Sequence, residues 1–301
     1  MKTFIGLTKR NTKVFFKDKA MFFCSLITPI ILLVLYSTFL AKVYKDSFLS
    51  SIPEEVEVSK SLINGLVGGQ LVSSLLAVSC ITVAFCANIL MVQDKANGVY
   101  KDFLISPVKK SKLSLSYYVA TLISTLIVGF VALMACLIYI GFTGWFMSFA
   151  DVVLVIIDIF LLSMLGTAMA SIVNIFLSSN GQASAVGTIV SSGYGFISGA
   201  YMPLSQFGVG LQRVLSFLPG TYGTSLLRNH AMNGAYREMA KQNFPPDVIE
   251  CIKDNVDANL YFFGNKVSIG AMYGILIGSI VLLVGIFVLI NILRSKKLKK
   301  N

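Results

Sequence analysis

The chain has 301 residues, of which 55% are hydrophobic and 13% charged, with a formal net charge of +11. Soluble domains carry about 25% charged residues, so the composition excludes a soluble globular protein and fits a polytopic membrane protein, with several apolar runs near the ~20 residues that cross a bilayer. The basic excess would suggest nucleic acid in a soluble protein; here it sits at the ends of apolar runs and reads as membrane topology, with no nucleic-acid partner.

Residues 1–20 hold six basic residues and one acid, Asp18, interleaved with Phe4, Leu7, Val14, Phe15 and Phe16. That pattern predicts an amphipathic helix along the inner membrane face. The apolar run that follows is too long for a signal core and lacks a small-residue cleavage site. Residues 21–40 are expected to form the first span, kinked at Pro29. Residues 42–60, with Glu54, Glu55 and Glu57, read as an external loop. Residues 61–92 form a second, overlong span with Gln70, Ser73 and Ser74, and with a GxxxG at Gly65 and Gly69 that permits close helix approach.

Residues 93–112 are a polar, basic hinge, with five Lys against Asp94 and Asp102. The positive-inside rule places it in the cytoplasm. Val99 with Phe103, and Tyr100 with Leu104, are spaced i,i+4 and give a short helix an apolar stripe. Ser106-Pro107 reads as N-cap and first residue of the next helix. The stripe suits either a docking element or contact with lipid headgroups.

Residues 113–142, 152–177, 183–201 and 267–293 are the remaining predicted spans. Trp145, with Phe142, Phe146 and Phe149, marks a turn in the aromatic belt. Residues 178–182 read as a tight cytoplasmic turn. Residues 202–227 are apolar but broken by Pro203, Gly208, Gly210, Pro219, Gly220 and Gly223. Parity favours a re-entrant hairpin here, because six spans leave both basic ends and the hinge in the cytoplasm. Residues 229–266 are expected to be a polar external segment. Gly270, Gly274 and Gly278 give the last span a small-residue face. The fold class is therefore all-α: one transmembrane domain of six spans, with an interfacial helix, a coupling loop and an external hairpin.

The only histidine is His230, which excludes an H-E-x-x-H zinc site, and no G-x-x-x-x-G-K-[ST] loop is present. No catalytic constellation, metal site or bound cofactor is expected. Asp158 is an acid deep in a span with no basic partner evident in the sequence. Intramembrane carboxylates are functional candidates, so an ion-coupled secondary transporter using Asp158 is the alternative reading.

Gly98, followed by Phe103-Leu104-Ile105-Ser106-Pro107-Val108-Lys109-Lys110-Ser111-Lys112-Leu113, resembles the cytoplasmic motif of the ABC type-2 transporter permease family. Ser198-Gly199-Ala200-Tyr201-Met202-Pro203-Leu204-Ser205, then Leu215-Ser216-Phe217-Leu218-Pro219 and Leu226-Leu227-Arg228, is similar to its second motif. Many members carry a Glu-Arg-like pair before the glycine; this chain has Asp94-Lys95, which keeps the charge signs but loses the forked guanidinium.

The resemblance implies a non-catalytic exporter subunit in the cell membrane, with both termini cytoplasmic. It implies a second permease copy and a pair of cytosolic ABC ATPase subunits that bind the ATP and Mg. Gly98, Val99, Tyr100, Phe103, Leu104, Ser106 and Pro107 would couple to the ATPase. Gln70, Ser73, Ser74, Ser191, Ser192, Tyr194 and Ser198 would line a path where the second and fifth spans face each other across the dimer. Pro203, Phe217, Pro219 and Arg228 would form an outer gate. Hydroxyl-rich spans with few charges suit an amphipathic, drug-like, peptide or lipid-like cargo.

Overall fold

The computed structural model describes residues 2–50, 52 and 58–297. Helix α1 (Lys2–Lys17) leads into α2 (Lys19–Leu35), which Asp18 caps by accepting from the amide of Met21. The helix runs through Pro29, widens to a π turn over Tyr36–Leu40 and continues as α3 (Ala41–Ser50). Part of the expected external loop is thus helix; Glu54, Glu55 and Glu57 lie outside the described residues.

Helix α4 (Lys60–Ala96) is the axis of the molecule. It packs against α2, α6, α7, α8 and α10, and nearly all of its side chains are buried. Its 37 residues span roughly 55 Å at 1.5 Å per residue, well beyond a bilayer core. Two glycines explain how α10 approaches so closely. A Cβ on Gly69 would stand 2.9 Å from the carbonyl oxygen of Ala231, and one on Gly234 would stand 2.0 Å from that of Phe146. The GxxxG of α4 is therefore used inside the subunit. The Gly270, Gly274 and Gly278 face has no atom within 4 Å and stays open.

The short α5 (Val99–Ile105) starts after Gly98, whose φ of +83° favours glycine. Ser106 is its C-cap, held extended before Pro107 (φ −75°, ψ 162°), and its hydroxyl donates to the carbonyl of Phe103. Ser106-Pro107 thus ends α5 and does not begin the next helix, as the sequence suggested. Helix α6 (Lys110–Thr143) starts three residues later, with Lys109 at its N-cap position and no side-chain capping bond. Capping boxes open α7 (Phe149–Phe176) at Ser148 and Asp151, and α8 (Asn180–Ile197) at Ser179 and Gln182. The expected turn at 178–182 is therefore already helical from Asn180.

A 3-10 turn (Leu204–Gln206) and α9 (Val209–Leu215) precede α10 (Pro219–Lys241), where Pro219 stands in the first turn. The expected polar segment from 229 onward is in fact the buried second half of α10. A cap follows: α11 (Pro246–Asn255) and an antiparallel hairpin of β1 (Tyr261–Phe262) with β2 (Asn265–Lys266). Helix α12 (Ile269–Lys297) closes the described chain. Among the described residues, five helical stretches are long and apolar enough to cross a membrane: Lys19–Ser50, Lys60–Ala96, Lys110–Thr143, Phe149–Phe176 and Ile269–Leu293. At 18 residues and interrupted by hydroxyls and glycines, α8 falls outside that set.

Candidate functional site

An open cavity of about 990 Å³ lies between the α2–α3 helix and α8. It is at the upper end of the range for small-molecule sites. Ser191 and Ser192 of α8 line it, with Tyr201 beside them. Tyr201 donates to the carbonyl of Ser191, and Tyr36 donates to the carbonyl of Ala200, so both rings are fixed in the wall. None of the described residues lining the cavity is charged.

The serines expected to share a path on the second span sit elsewhere. Gln70, Ser73 and Ser74 are 0%, 0% and 1% exposed, enclosed by helices of their own subunit. Ser73 donates to the carbonyl of Gln70, a local helix bond. The expected face of α4 toward a second copy is therefore covered, because α10 occupies the groove that Gly69 opens. On α8, Ser192 is exposed, whereas Tyr194 and Ser198 point inward. A Cβ on Gly220 would meet the Tyr194 hydroxyl at 2.4 Å.

Polar side chains bind α10 to its surroundings along its length. At one end, Arg237 pairs with Asp151 of α7, and Asn233 donates to the same carboxylate at 2.8 Å. Two turns further, Asp158 lies 2.6 Å from His230 Nδ1 and accepts from Tyr273 of α12 at 2.8 Å. Asp158 therefore has the partner that the sequence did not reveal, and both its oxygens are engaged. His230 lies inside α10. Seven residues separate the two anchors on each helix, so α7 and α10 run antiparallel with matched register.

Deeper still, Arg228 is 1% exposed. It donates to the carbonyl of Gly199 at the end of α8, approaches Ser74 of α4 at 3.5 Å, and pairs with Asp257 at 3.4 Å. Asp257 also accepts from the amide of Leu204. Burial pushes the Asp257 carboxyl above its ordinary value, and the charge of Arg228 opposes that shift. Of the residues expected at an outer gate, Arg228 is thus a buried clasp. Pro203 lines the cavity, Pro219 starts α10, and Phe217 is exposed in an aromatic cluster with Phe262 and Phe263.

At the opposite end, Asp94 pairs with Arg10 of α1 and accepts from Tyr117 of α6. The hydrogen bond to Asp94 holds the Arg10 guanidinium above its ordinary value. Lys95 donates to the carbonyls of Asn174, Ile175 and Leu177 at 2.9 to 3.0 Å, capping the C-terminus of α7. The Asp94-Lys95 pair therefore faces inward and roots the hinge. Arg10 also stacks on Phe103 at 5.4 Å. Tyr100, Phe103 and Val108 pack against the cluster holding Leu7 and Phe15 of α1. Val99 and Leu104 are half-buried, Pro107 is exposed, and Ile105 is 87% exposed beside Lys101 and Asp102. The free face of α5 is thus centred on Ile105, which the stripe argument passed over.

Among the described residues, no group of three or more His, Cys, Asp or Glu is arranged to hold a metal ion. No curated protein and no solved structure matches the chain. Residues 2–231 match the family model described as ABC-2 type transporter. That match takes in the hinge, α2, α3 and α8 of the cavity wall and the first half of α10, and the chain belongs to the ABC-2 type transporter family, as a membrane permease component of an ABC transporter.

Proposed function

We propose that this chain is the permease subunit of an ATP-driven exporter in the cell membrane. It pairs with a second permease copy and with two cytosolic ABC ATPase subunits that bind the ATP and Mg. Its cargo is an amphipathic molecule, carried through the cavity between α2–α3 and α8, whose described lining residues are uncharged. The cavity is the observation that carries this reading, since its size, lining and placement suit a small amphiphile.

The topology in this reading has six crossings, with α8 as the fifth. The basic hinge and both basic termini are cytoplasmic, and α9 with α10 forms a hairpin entering from outside. The antiparallel run of α10 along α7 supports that hairpin, since Gly223 meets Leu162 while Arg237 meets Asp151. The exposed side of α5 around Ile105 is the docking surface for the ATPase. Rooted in α1, α4 and α6 through Arg10, Asp94 and Tyr117, it transmits a push from the ATPase into the bundle. The hydroxyl-bearing open face of α8, with Ser184, Thr188 and Ser192, is poorly suited to lipid and faces the second copy.

The test is ATP-dependent uptake of an uncharged fluorescent amphiphile into inverted membrane vesicles. Vesicles containing the chain and its ATPase should accumulate it, and Val43→Trp, at an exposed lining residue of α3 away from the α8 face assigned to the second copy, should stop accumulation without loss of the protein. Uptake driven by a proton gradient in the absence of ATP would instead favour the ion-coupled reading.

A further inference from the structure

The turn between β1 and β2 breaks a local rule. Tyr261 pairs with Lys266 and Phe262 with Asn265, so Phe263 and Gly264 form the turn, with φ of +49° and +85°. Asn-Gly is the favoured pair in such a turn, because both positions are left-handed. Gly264 fits, whereas a phenylalanine in the first position is strained. Burial does not offset the strain, since Phe263 is 56% exposed. Its ring centroid lies 4.9 Å from that of Phe262 and 6.1 Å from that of Phe217, and Arg213 of α9 stacks on it at 5.7 Å. Phe217 is more exposed still, at 64%. Three aromatic rings thus gather at a hairpin tip where neither the turn nor the core requires them. A strained residue in an exposed apolar patch marks a contact outside the chain.

Helix register places these rings at membrane depth. Asp158 of α7 binds both His230 of α10 and Tyr273 of α12, which aligns the three helices. Helices α7 and α12 run the same way, with Ile175 and Phe287 together in the hinge-side cluster, and α10 runs against them. From His230 back to Pro219, α10 covers about 16 Å toward the hinge. Tyr273 lies near the start of the apolar run Ile269–Leu293, so the first turn of α10 stands well inside the band that this run spans. Phe217, just before Pro219, holds Phe262 and Phe263 against it at that depth. The hairpin leads through Val267 and Ser268 into α12, whose Ile269, Ile275, Ile277 and Val281 are exposed. The rings therefore extend an apolar surface already suited to lipid. The base of the hairpin is polar, with Lys266 paired to Glu250 and Tyr261 donating to Asp254. Arg213 can lay its stem along the rings while its charge reaches the headgroups. We propose that Phe217, Phe262 and Phe263 form an aromatic wedge inserted among the acyl chains of the bilayer leaflet on the cap side. The proposal rests on α9 and α10 entering the membrane as a hairpin and is independent of the cargo.

The sequence has a single tryptophan, Trp145, so a fluorescent reporter can be moved at will. In a Trp145→Phe background, Phe263→Trp and Phe262→Trp report on the wedge, and Leu218→Trp, directly before Pro219, reports on the hairpin. Phe262 has ordinary strand geometry, so its variant reads the same site without the strained turn. The full chain is placed in phosphatidylcholine nanodiscs with or without bromine on the acyl chains, and iodide serves as the quencher in water. Thermal melting checks that each variant is folded. Both wedge reporters should lose emission several-fold in brominated lipid and lose none with iodide, and Leu218→Trp should also respond to brominated lipid. Iodide quenching of Phe263→Trp and Phe262→Trp, with Leu218→Trp still quenched by lipid, would overturn the wedge while leaving the hairpin in the membrane. Iodide quenching of all three would remove the hairpin and the wedge together. Wedge reporters that respond to neither quencher would show the rings covered by protein, such as a second copy of the chain, and would overturn the lipid contact.

Discussion

Asp257 meets Arg228 at 3.4 Å, although one lies in the cap after α11 and the other in the middle of α10. Through this pair and the Leu204 amide, the cap is tied to the end of α8 and to Ser74 of the central helix. Asn255 and Val256, directly before Asp257, form part of the cavity wall. The clasp therefore positions one end of the cavity as well as stabilising the hairpin.

Breaking it from one side should be severe. Asp257→Ala leaves a buried guanidinium without its counter-ion, and a loss of about 3–5 kcal/mol is expected. Arg228→Met with Asp257→Leu should cost much less, because no charge is stranded. Thermal melting of the purified variants separates the two outcomes. A single variant as stable as the parent would show that the pair is not a constraint.

Asp158 is expected to be structural. Its two oxygens are taken by His230 and Tyr273, which joins α7 to α10 and α12. Asp158→Asn keeps a polar group in place and should retain ATP-dependent transport with modest loss. Asp158→Ala strands a buried imidazole and a half-buried phenol and should lower stability by about 1–3 kcal/mol. Complete loss of transport in Asp158→Asn at normal stability, together with dependence on a proton gradient, would contradict this.

The hinge separates rooting from docking. Phe103 carries the Arg10 guanidinium, so Phe103→Asp should disturb α1 packing and lower thermal stability. Ile105→Glu alters only an exposed side chain and should leave the fold intact while reducing co-purification of the ATPase. Unchanged co-purification in Ile105→Glu would move the docking surface elsewhere.

Much of this architecture is local in origin and was legible for that reason. The apolar runs from Lys60 and Ile269 act on their own segments, so composition and spacing revealed them. The partners of the buried charges were not legible. His230 lies 72 residues from Asp158, and Arg228 lies 29 residues from Asp257; nothing in either neighbourhood names the other. Residues 229–266, polar by composition, read as an external segment. That reading missed the second half of α10, which buries its polar groups against matching polar groups. The stripe on α5 was correctly seen as apolar, but periodicity cannot tell whether such a face meets a partner or the chain's own α1.

The cap hairpin should loosen in acid. Glu250 pairs with Lys266 of β2, and that hydrogen bond holds the carboxyl below its usual range. A depressed folded pKa contributes stability above the unfolded value of about 4.3 and loses it as the pH falls through the folded value. Hydrogen-exchange protection over Tyr261–Lys266, corrected for intrinsic rates, should be flat from neutral pH to about pH 5 and fall below about pH 4. Lys266→Ala should remove most of this pH dependence. A parent profile identical to that of Lys266→Ala would show that the pair has no effect on the cap.

The two serines once expected to face each other across a dimer now separate two arrangements. Ser74 is 1% exposed, on a helix wrapped by its own subunit. Ser192 stands on the open face of α8, its hydroxyl bonded to the carbonyl of Thr188 one turn back. In a background without cysteines, Ser192→Cys and Thr188→Cys should form a covalent dimer under mild oxidation, whereas Ser74→Cys should stay monomeric. Trapping nucleotide on the ATPase should change the yield at Ser192→Cys if the paired α8 helices move apart during transport. A cross-link at Ser74→Cys, or none at either α8 position, would place the second copy against another face, with the open Gly270, Gly274 and Gly278 side of α12 as the next surface to probe.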